Sequence, residues 1–421
     1  MQKMIIGAAA LLAAGWSTPV HADEAPTYQD IMAKAGAAFQ AEDWAALEER
    51  LSEAQALRPY SLYIWKNRIL ARQLKGDSAG AMALAAKIAE RGLAIDLSGH
   101  DAFDALKAEP AFVAIGAKFE NNMAPIGEAV VAAQYTDVNL LPEAYAAGRK
   151  GTHYIGSVRT GKIIEFSGAA SPKGTAFAQG GVFDIEVRGK KLWAAVNNQL
   201  AYEGADPENK FASLMVFNLK TGAPLREIRV GEPDALLGDL EVAKDGTAYA
   251  SDSVTPRLYK MAPGGQTLDI FAADPRFVNL QGVALDEKNH RIFAADYLAG
   301  LFVINTDTAE VTAIENTIDA HLGGIDGLYL YKGALIGIQN GTTPQRIVKI
   351  TLNDEASEAI GFEVLQQNLD DWNEPTHGAV SGDKFNYIAT SNWPGYDRDW
   401  NIREDAVLYP VRVMTVPLDS K

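Results

Sequence analysis

A three-strand pattern recurs six times between residues 142 and 415, and no single copy of it can bury both of its faces. The copies open on PEAYAAG at 142, FDIEVRG at 183, GDLEVAKDG at 238, LQGVALDEKN at 280, IDGLYLYKG at 325 and THGAVSGDK at 376. Each opening passes through a turn into a second strand: THYIGSV, KLWAAVN, TAYASDS, RIFAADY, ALIGIQN and NYIATSN. Each then reaches a third, such as KIIEFS or GLFVINT. The turns KDG, EKNH and YKG supply the Asn, Asp and Gly that tight hairpins require. Short antiparallel meanders repeated every roughly 40 to 55 residues are the signature of a propeller. Six copies predict six blades over residues 135–418. The ring needs a strand to close its seam. Either LYPVRVMTVPL near the C-terminus or EAVVAAQY near residue 131 can provide it.

The texture before the repeats is different. Residues 26–121 are rich in Ala, Leu, Glu and Lys at helical spacing, and the two prolines between Tyr28 and Glu120, Pro59 and Pro110, fall at helix boundaries. EDWAALEERLSEA from Glu42 and GDSAGAMALAAKIA from Gly76 align at an offset of 34 residues. With Trp44, Leu47, Leu51, Ala54 and Pro59 at packing and terminating positions, this segment resembles tetratricopeptide helical hairpins. Two such repeats are few for a free solenoid, so the expectation is a layer packed on the rest of the chain, with a groove for a protein partner as the sharper alternative. Residues 122–134 then read as linker and entry strand. The predicted fold is therefore mainly β, a six-bladed propeller preceded by an all-α domain.

Composition bounds the compartment and the partners. Residues 1–22 carry a Lys near the terminus, an apolar run from Met4 to Gly15 and small residues before a cut after Ala22, as in a secretory signal peptide. That run is short for a membrane anchor, and no later stretch could span a bilayer. The mature chain is expected in a bacterial periplasm. With no Cys it folds without disulfides and has neither thiolate ligands nor a haem attachment sequence. A formal charge of -16 argues against nucleic acid as a partner.

The first strand of each blade lines the central channel, so the polar residues that open these strands should form a ring: Glu143, Asp184, Asp239, Gln281, Asp326 and His377. The second strands return to the same mouth and bring Ser157, Asn197, Asp252, Asp296, Asn340 and Asn392 to its rim. Two unit charges about 4 Å apart repel by on the order of 4 kcal/mol at an effective dielectric near 20. A cation, a shared proton or a donor network relieves that. Oxygen ligands with one His suit a hard divalent ion, calcium before magnesium, with zinc or manganese reachable through His377. The alternative, strongest for Asp184, is that these Asp residues cap backbone N–H groups of the adjacent blade. Trp372, Trp393, Tyr396 and Trp400 lie in two late loops where they could form an aromatic lip or merely pack the loop.

The phrases PEA, GDLEVAKDGTAYASDS, LQGVALDEKNHRIFAAD and IDGLYL make residues 135–415 similar to the gluconolactonase and regucalcin family of six-bladed propellers. That resemblance implies one divalent metal held by Glu143, Asp239, Gln281 and Asp326, with Asp326 as general base for lactone hydrolysis. Asp239 and Gln281 stand where the family has Asn. It also implies a small-molecule ligand in the channel, with Asp184, His377, Asp252, Asp296, Asn340, Asn392 and Trp393 as candidate contacts. Two function classes follow: a periplasmic metal-dependent lactonase or esterase, and a non-catalytic binding propeller with a structural metal and a partner on its helical domain.

Overall fold

The structure, a computed structural model, describes residues 26–167, 173–199, 201–232 and 234–419. The signal peptide expected over residues 1–22 lies outside them. No helix of the described residues is long and apolar enough to cross a membrane.

Five α-helices come first, each started by local chemistry. Thr27 and Asp30 form a capping box on α1 (Tyr28–Gln40). Asp43, Ser61 and Asp77 accept backbone N–H groups at the starts of α2 (Trp44–Leu57), α3 (Leu62–Leu74) and α4 (Ser78–Glu90). Pro110 opens α5 (Pro110–Asn122), where its missing N–H is no loss. The 34-residue offset of the sequence falls on α2 and α4, whose Asp caps match. Leu47, Leu51 and Ala54 are buried on α2, and the Trp65 indole donates to the Pro59 carbonyl at 2.9 Å.

Six antiparallel sheets follow, covering residues 142–177, 181–229, 237–272, 280–313, 315–367 and 378–417. They are the six blades of the propeller. Five have four strands, and the fifth blade adds a short parallel strand, Glu315–Asn316. The seam is closed from the N-terminal side: Val131–Tyr135 pairs with Val411–Pro417 as the outer strand of blade six. The C-terminal strand is the third strand of that same blade, so both candidate segments contribute to closure. Blades pack face to face through aliphatic and aromatic side chains. Leu214 and Val216 of blade two meet Leu240, Tyr259 and Met261 of blade three in one buried cluster, at about 1.5–3 kcal/mol for each large apolar side chain removed from water.

The helical layer docks on blades four and five, on the face where second strands end. Tyr60 N–H donates to the Leu298 carbonyl at 3.0 Å, and Ala94 N–H to the Thr343 carbonyl at 2.7 Å. The Gln367 amide donates to the carbonyls of Asn122 and Ala124 at 2.8 and 2.9 Å. Tyr60 sits so close to Gly323 that a Cβ there would overlap the Tyr60 side chain.

His321 is 1 % exposed in this interface, edge-on to the Tyr60 ring. Burial, then the positive charges of Arg346 and Arg91, hold its imidazole well below the usual histidine range. A histidine depressed in the folded state takes its proton only on unfolding, so the stability it contributes is complete above about pH 6.5 and is lost as pH falls below it. Between pH 7 and pH 5 this one group is expected to remove about 2 kcal/mol. His321→Phe should remove this contribution, so its stability relative to the parent should rise by up to about 2 kcal/mol between pH 7 and pH 5 in urea titrations, and a pH-independent difference would exclude this residue.

Candidate functional site in the propeller channel

Irregular strand pairing aims the ring residues. In blades one to four the first and second strands shift register at Pro142/Ala144, Val182/Asp184, Leu237/Leu240 and Leu280/Val283. Glu143, Asp239 and Gln281 lie inside these bulges and Asp184 at the edge of one, where the extra residue turns a side chain out of the blade. In blades five and six, Asp326 and His377 stand just before the paired strands Leu328–Tyr331 and Gly378–Ser381. Backbone bonds fix both: Asp326 N–H donates to the Ile338 carbonyl, and the His377 carbonyl accepts from Ile388 N–H, each at 2.9 Å.

Among the described residues, two groups each bring three potential ligand atoms within 4.8 Å of one another: Glu143, Asp326 and His377, and Asp184, Asp239 and His377. His377 belongs to both. Its Nδ1 lies 3.1 Å from Asp184 Oδ1, a contact that crosses from blade six to blade two. The four-residue ligand set expected from the family resemblance is thus regrouped. Asp239 pairs with Asp184 rather than with Glu143 and Asp326, and its oxygens accept from Leu240 N–H at 2.7 Å and Val283 N–H at 2.8 Å. The Gln281 amide donates to Asn279 Oδ1 at 2.9 Å.

The inter-blade caps considered for the Asp residues are present. Asp184 Oδ2 accepts from Leu240 N–H at 3.1 Å, as Asp239 does from Val283, so each acid ties its blade to the next. Two residues further along the same strands, Glu186 and Glu241 extend the pattern. Glu186 accepts from Val242 N–H, and Glu241 bonds the backbone of Leu285. These four acids and Arg188 line a channel cavity of about 340 Å³.

Burial dominates the electrostatics. It raises Glu143 well above the usual carboxylate range, with the charge of Asp326 acting in the same direction. Burial and the Asp184 charge raise Asp239, burial raises Asp326 against the pull of His377 and Asn340, and burial pushes Glu241 to about 8. Burial lowers His377, but its hydrogen bond to Asp184 and the charges of Asp184, Asp239 and Asp326 outweigh that and hold it well above the usual histidine range. The channel therefore carries an imidazolium between carboxyl groups that favour their protons.

Neutral donors orient the first triad. The Trp393 indole donates to Glu143 Oε2, and Asn340 Nδ2 donates to Asp326 Oδ2 at 2.6 Å. Tyr297 donates to Asn340 Oδ1 at 3.0 Å and completes a Tyr–Asn–Asp chain. Trp400 packs edge-on to Trp393 with ring centres 5.7 Å apart, and Tyr396 is buried beside Leu141, Phe183 and Leu236. Trp372 belongs elsewhere: it bonds the Tyr387 hydroxyl at 3.0 Å inside blade six.

Most of the expected rim is not directed at the channel. Asp252 and Asp296 are fully buried, and their oxygens accept from the backbone N–H groups of Leu236, Val254 and Thr255, and of Val278, Asn279, Leu298 and Ala299. Asn392 exchanges two bonds with the Tyr409 backbone, Asn197 does the same with Leu237, and Ser157 donates to the Leu140 carbonyl. These side chains hold strand ends together through bonds to the backbone, with Asp252 Oδ2 taken up by the Thr255 and Tyr259 hydroxyls. Asn340 alone of that set bonds a channel carboxylate.

Glu374 was not among the expected site residues. Burial and then the Asp326 charge push it up to about 7, and its charge in turn acts on Glu143. It has φ of 57°, a left-handed conformation directly before Pro375, which costs on the order of 1–3 kcal/mol. The readable signal was its place three residues before His377 in NEPTH. For Glu186 and Glu241 it was the D-x-E spacing that puts both acids on one strand face.

No protein-family model and no curated protein matches the sequence. Among solved structures the chain is similar to the pyrroloquinoline-quinone-bound aldose sugar dehydrogenase of Streptomyces coelicolor, at 15% identity and a TM-score of 0.47, covering 70% of this chain and 99% of that one. It is similar at 12% identity and a TM-score of 0.49 to a putative glucose dehydrogenase of Thermus thermophilus, covering 69% of this chain and 100% of that one. A luciferin-regenerating enzyme matches at 11% and 0.48, covering 70% and 95%.

Proposed function

We propose that the protein is a divalent-cation-dependent hydrolase of a lactone or small carboxylic ester, working in the bacterial periplasm. The observation that carries this reading is the Glu143, Asp326 and His377 triad, three ligand atoms within 4.8 Å at one point of a buried channel. The donor set fits a cation. The hydrogen-bond donors to Glu143 and Asp326 are an indole and an amide, both neutral, and His377 is shared with Asp184. The one imidazole serves both acidic groups, so ionising Glu143 and Asp326 together calls for further positive charge, and oxygen donors with one imidazole suit a hard ion such as calcium.

Glu143, Asp326 and, once its imidazolium has given up a proton, His377 would hold the ion, which when bound supplies Lewis acidity toward an ester carbonyl. The chain's own groups handle protons and position. Asn340 occupies Asp326 Oδ2, leaving Oδ1 to take a proton from water. Tyr297 fixes Asn340 in turn. Glu374, near half-protonated at neutral pH, is suited to return a proton to the departing alkoxide.

Stripping the protein with a chelator and adding back calcium, magnesium, zinc and manganese in turn tests this reading. One ion should raise the melting temperature and restore hydrolysis of a lactone panel over the same concentration range, with about 2.7 kcal/mol of stabilisation at a hundred times its Kd. A metal-dependent melt without hydrolysis would favour the binding propeller. If no ion shifts the melt, the triad does not hold a metal.

A further inference from the structure

We propose a second ligand site, independent of the channel: a pocket among α2, α3 and α4 that binds an organic carboxylate, with Arg68, Lys87 and Arg91 facing the acid and Trp65, Tyr60 and Pro59 facing its apolar body. The cavity measures about 390 Å³, within the range of small-ligand pockets. The chain carries a net charge of -16, yet no carboxylate lines this pocket.

The guanidinium groups are only partly satisfied. Arg68 uses its two terminal nitrogens on Gln55 and Glu48, both at 2.6 Å, while its Nε is buried without a partner. Arg91 reaches Asp319, and its Nε too is buried without a partner. The Asp319 side chain is 70% exposed, so water screens that pair. Lys87 is exposed and has no ion partner among the described residues. Behind Arg91 lies Arg346, 1 % exposed, which donates to the Arg91 carbonyl at 3.1 Å and keeps its other terminal nitrogen unpaired.

Buried N–H donors left unpaired cost about 1–3 kcal/mol each, more when charged. Arg68, Lys87 and Arg91 bring three cationic side chains to one pocket, and a planar carboxylate matches the guanidinium fork. Pro59, Tyr60 and Trp65 add apolar and aromatic surface to the lining, and the Arg91 guanidinium lies 5.1 Å over the Trp65 ring. A carboxylate on an aromatic or aliphatic body suits both parts of the lining. Such a group is carried by a free small acid or by the C-terminus of a peptide.

The test uses the full mature chain, with melting temperature and tryptophan fluorescence as readouts. Benzoate is the probe, benzamide its neutral isostere, and a hexapeptide ending in Phe is added with a free or an amidated C-terminus. Benzoate should give a saturable rise in melting temperature and benzamide none. Lys87→Gln should leave the ligand-free melt unchanged and weaken benzoate about two- to fivefold, and Arg91→Gln should weaken it about tenfold or more. Because Arg91→Gln also touches the docking interface, Lys87→Gln keeps the test valid if the former folds poorly. Tighter binding of the free peptide than of benzoate, with the amide inactive, would assign the carboxylate to a peptide terminus; equal or better benzoate binding assigns it to a small acid. The proposal is overturned if benzoate gives no saturable response, if benzamide matches it, or if Lys87→Gln binds benzoate as the parent does.

Discussion

Asp326→Asn is expected to lower lactone hydrolysis by about two to four orders of magnitude, the contribution of a positioned general base, while the melting temperature holds or rises. The two halves of this result have separate causes. Asn is isosteric with Asp and can still accept from Asn340 through its carbonyl oxygen, so the Tyr297–Asn340 chain survives. What disappears is a carboxylate that burial already raises above its ordinary range, so its ionised form is a cost to the fold. Removing such a group from metal-free protein should be neutral or stabilising, as trading function for stability often is. The same substitution should weaken the cation, because Asp326 is one of three groups in the triad. Assays at saturating ion separate the loss of a base from the loss of metal. Full hydrolysis by Asp326→Asn at saturating ion would remove Asp326 from the mechanism.

The propeller was legible because its signal is repeated: six openings, six second strands and hairpin turns all constrain the same fold. Closure was less legible, since EAVVAAQY and LYPVRVMTVPL are both good strands and only pairing assigns Val131–Tyr135 to the outside of blade six. The ring of channel residues could be read from strand starts, but its division could not. Which acids meet depends on bulges and on His377 crossing from blade six to blade two, and neither leaves a mark in local sequence. The rim was ambiguous for a related reason. Asp252, Asp296 and Asn392 sit at equivalent strand ends, and polarity there signals backbone capping as readily as ligand contact. Glu374 escaped because it stands in a loop outside the repeat, where no period points to it.

His377→Leu should cost about 3–5 kcal/mol of folding stability in the metal-free protein, the penalty for removing one member of a buried ion pair. The side chain is 3 % exposed and serves both acidic groups, so its loss leaves Asp184, Asp239, Asp326 and Glu143 facing one another without an imidazolium. The cost should depend on pH. Glu143, Asp239 and Asp326 have folded-state values raised above their unfolded ones, so their contribution is complete below about pH 4 and is lost as pH rises above it. His377 is protonated in the folded and unfolded parent alike below about pH 6.5, so urea titrations should find the variant closer to the parent at pH 4 than at pH 6; above that the parent loses the His377 contribution as well, because its folded-state value is raised. Asp184→Asn in the same background should recover part of the loss. It deletes the carboxylate that His377 Nδ1 meets at 3.1 Å while an amide oxygen can still accept from Leu240 N–H. Non-additivity of about 1 kcal/mol or more in that double-mutant cycle measures the coupling across the channel. A single-variant cost below about 1 kcal/mol at pH 6, with additive behaviour in the cycle, would mean that water or the neighbouring backbone already compensates these acids and that His377 is not what holds them together.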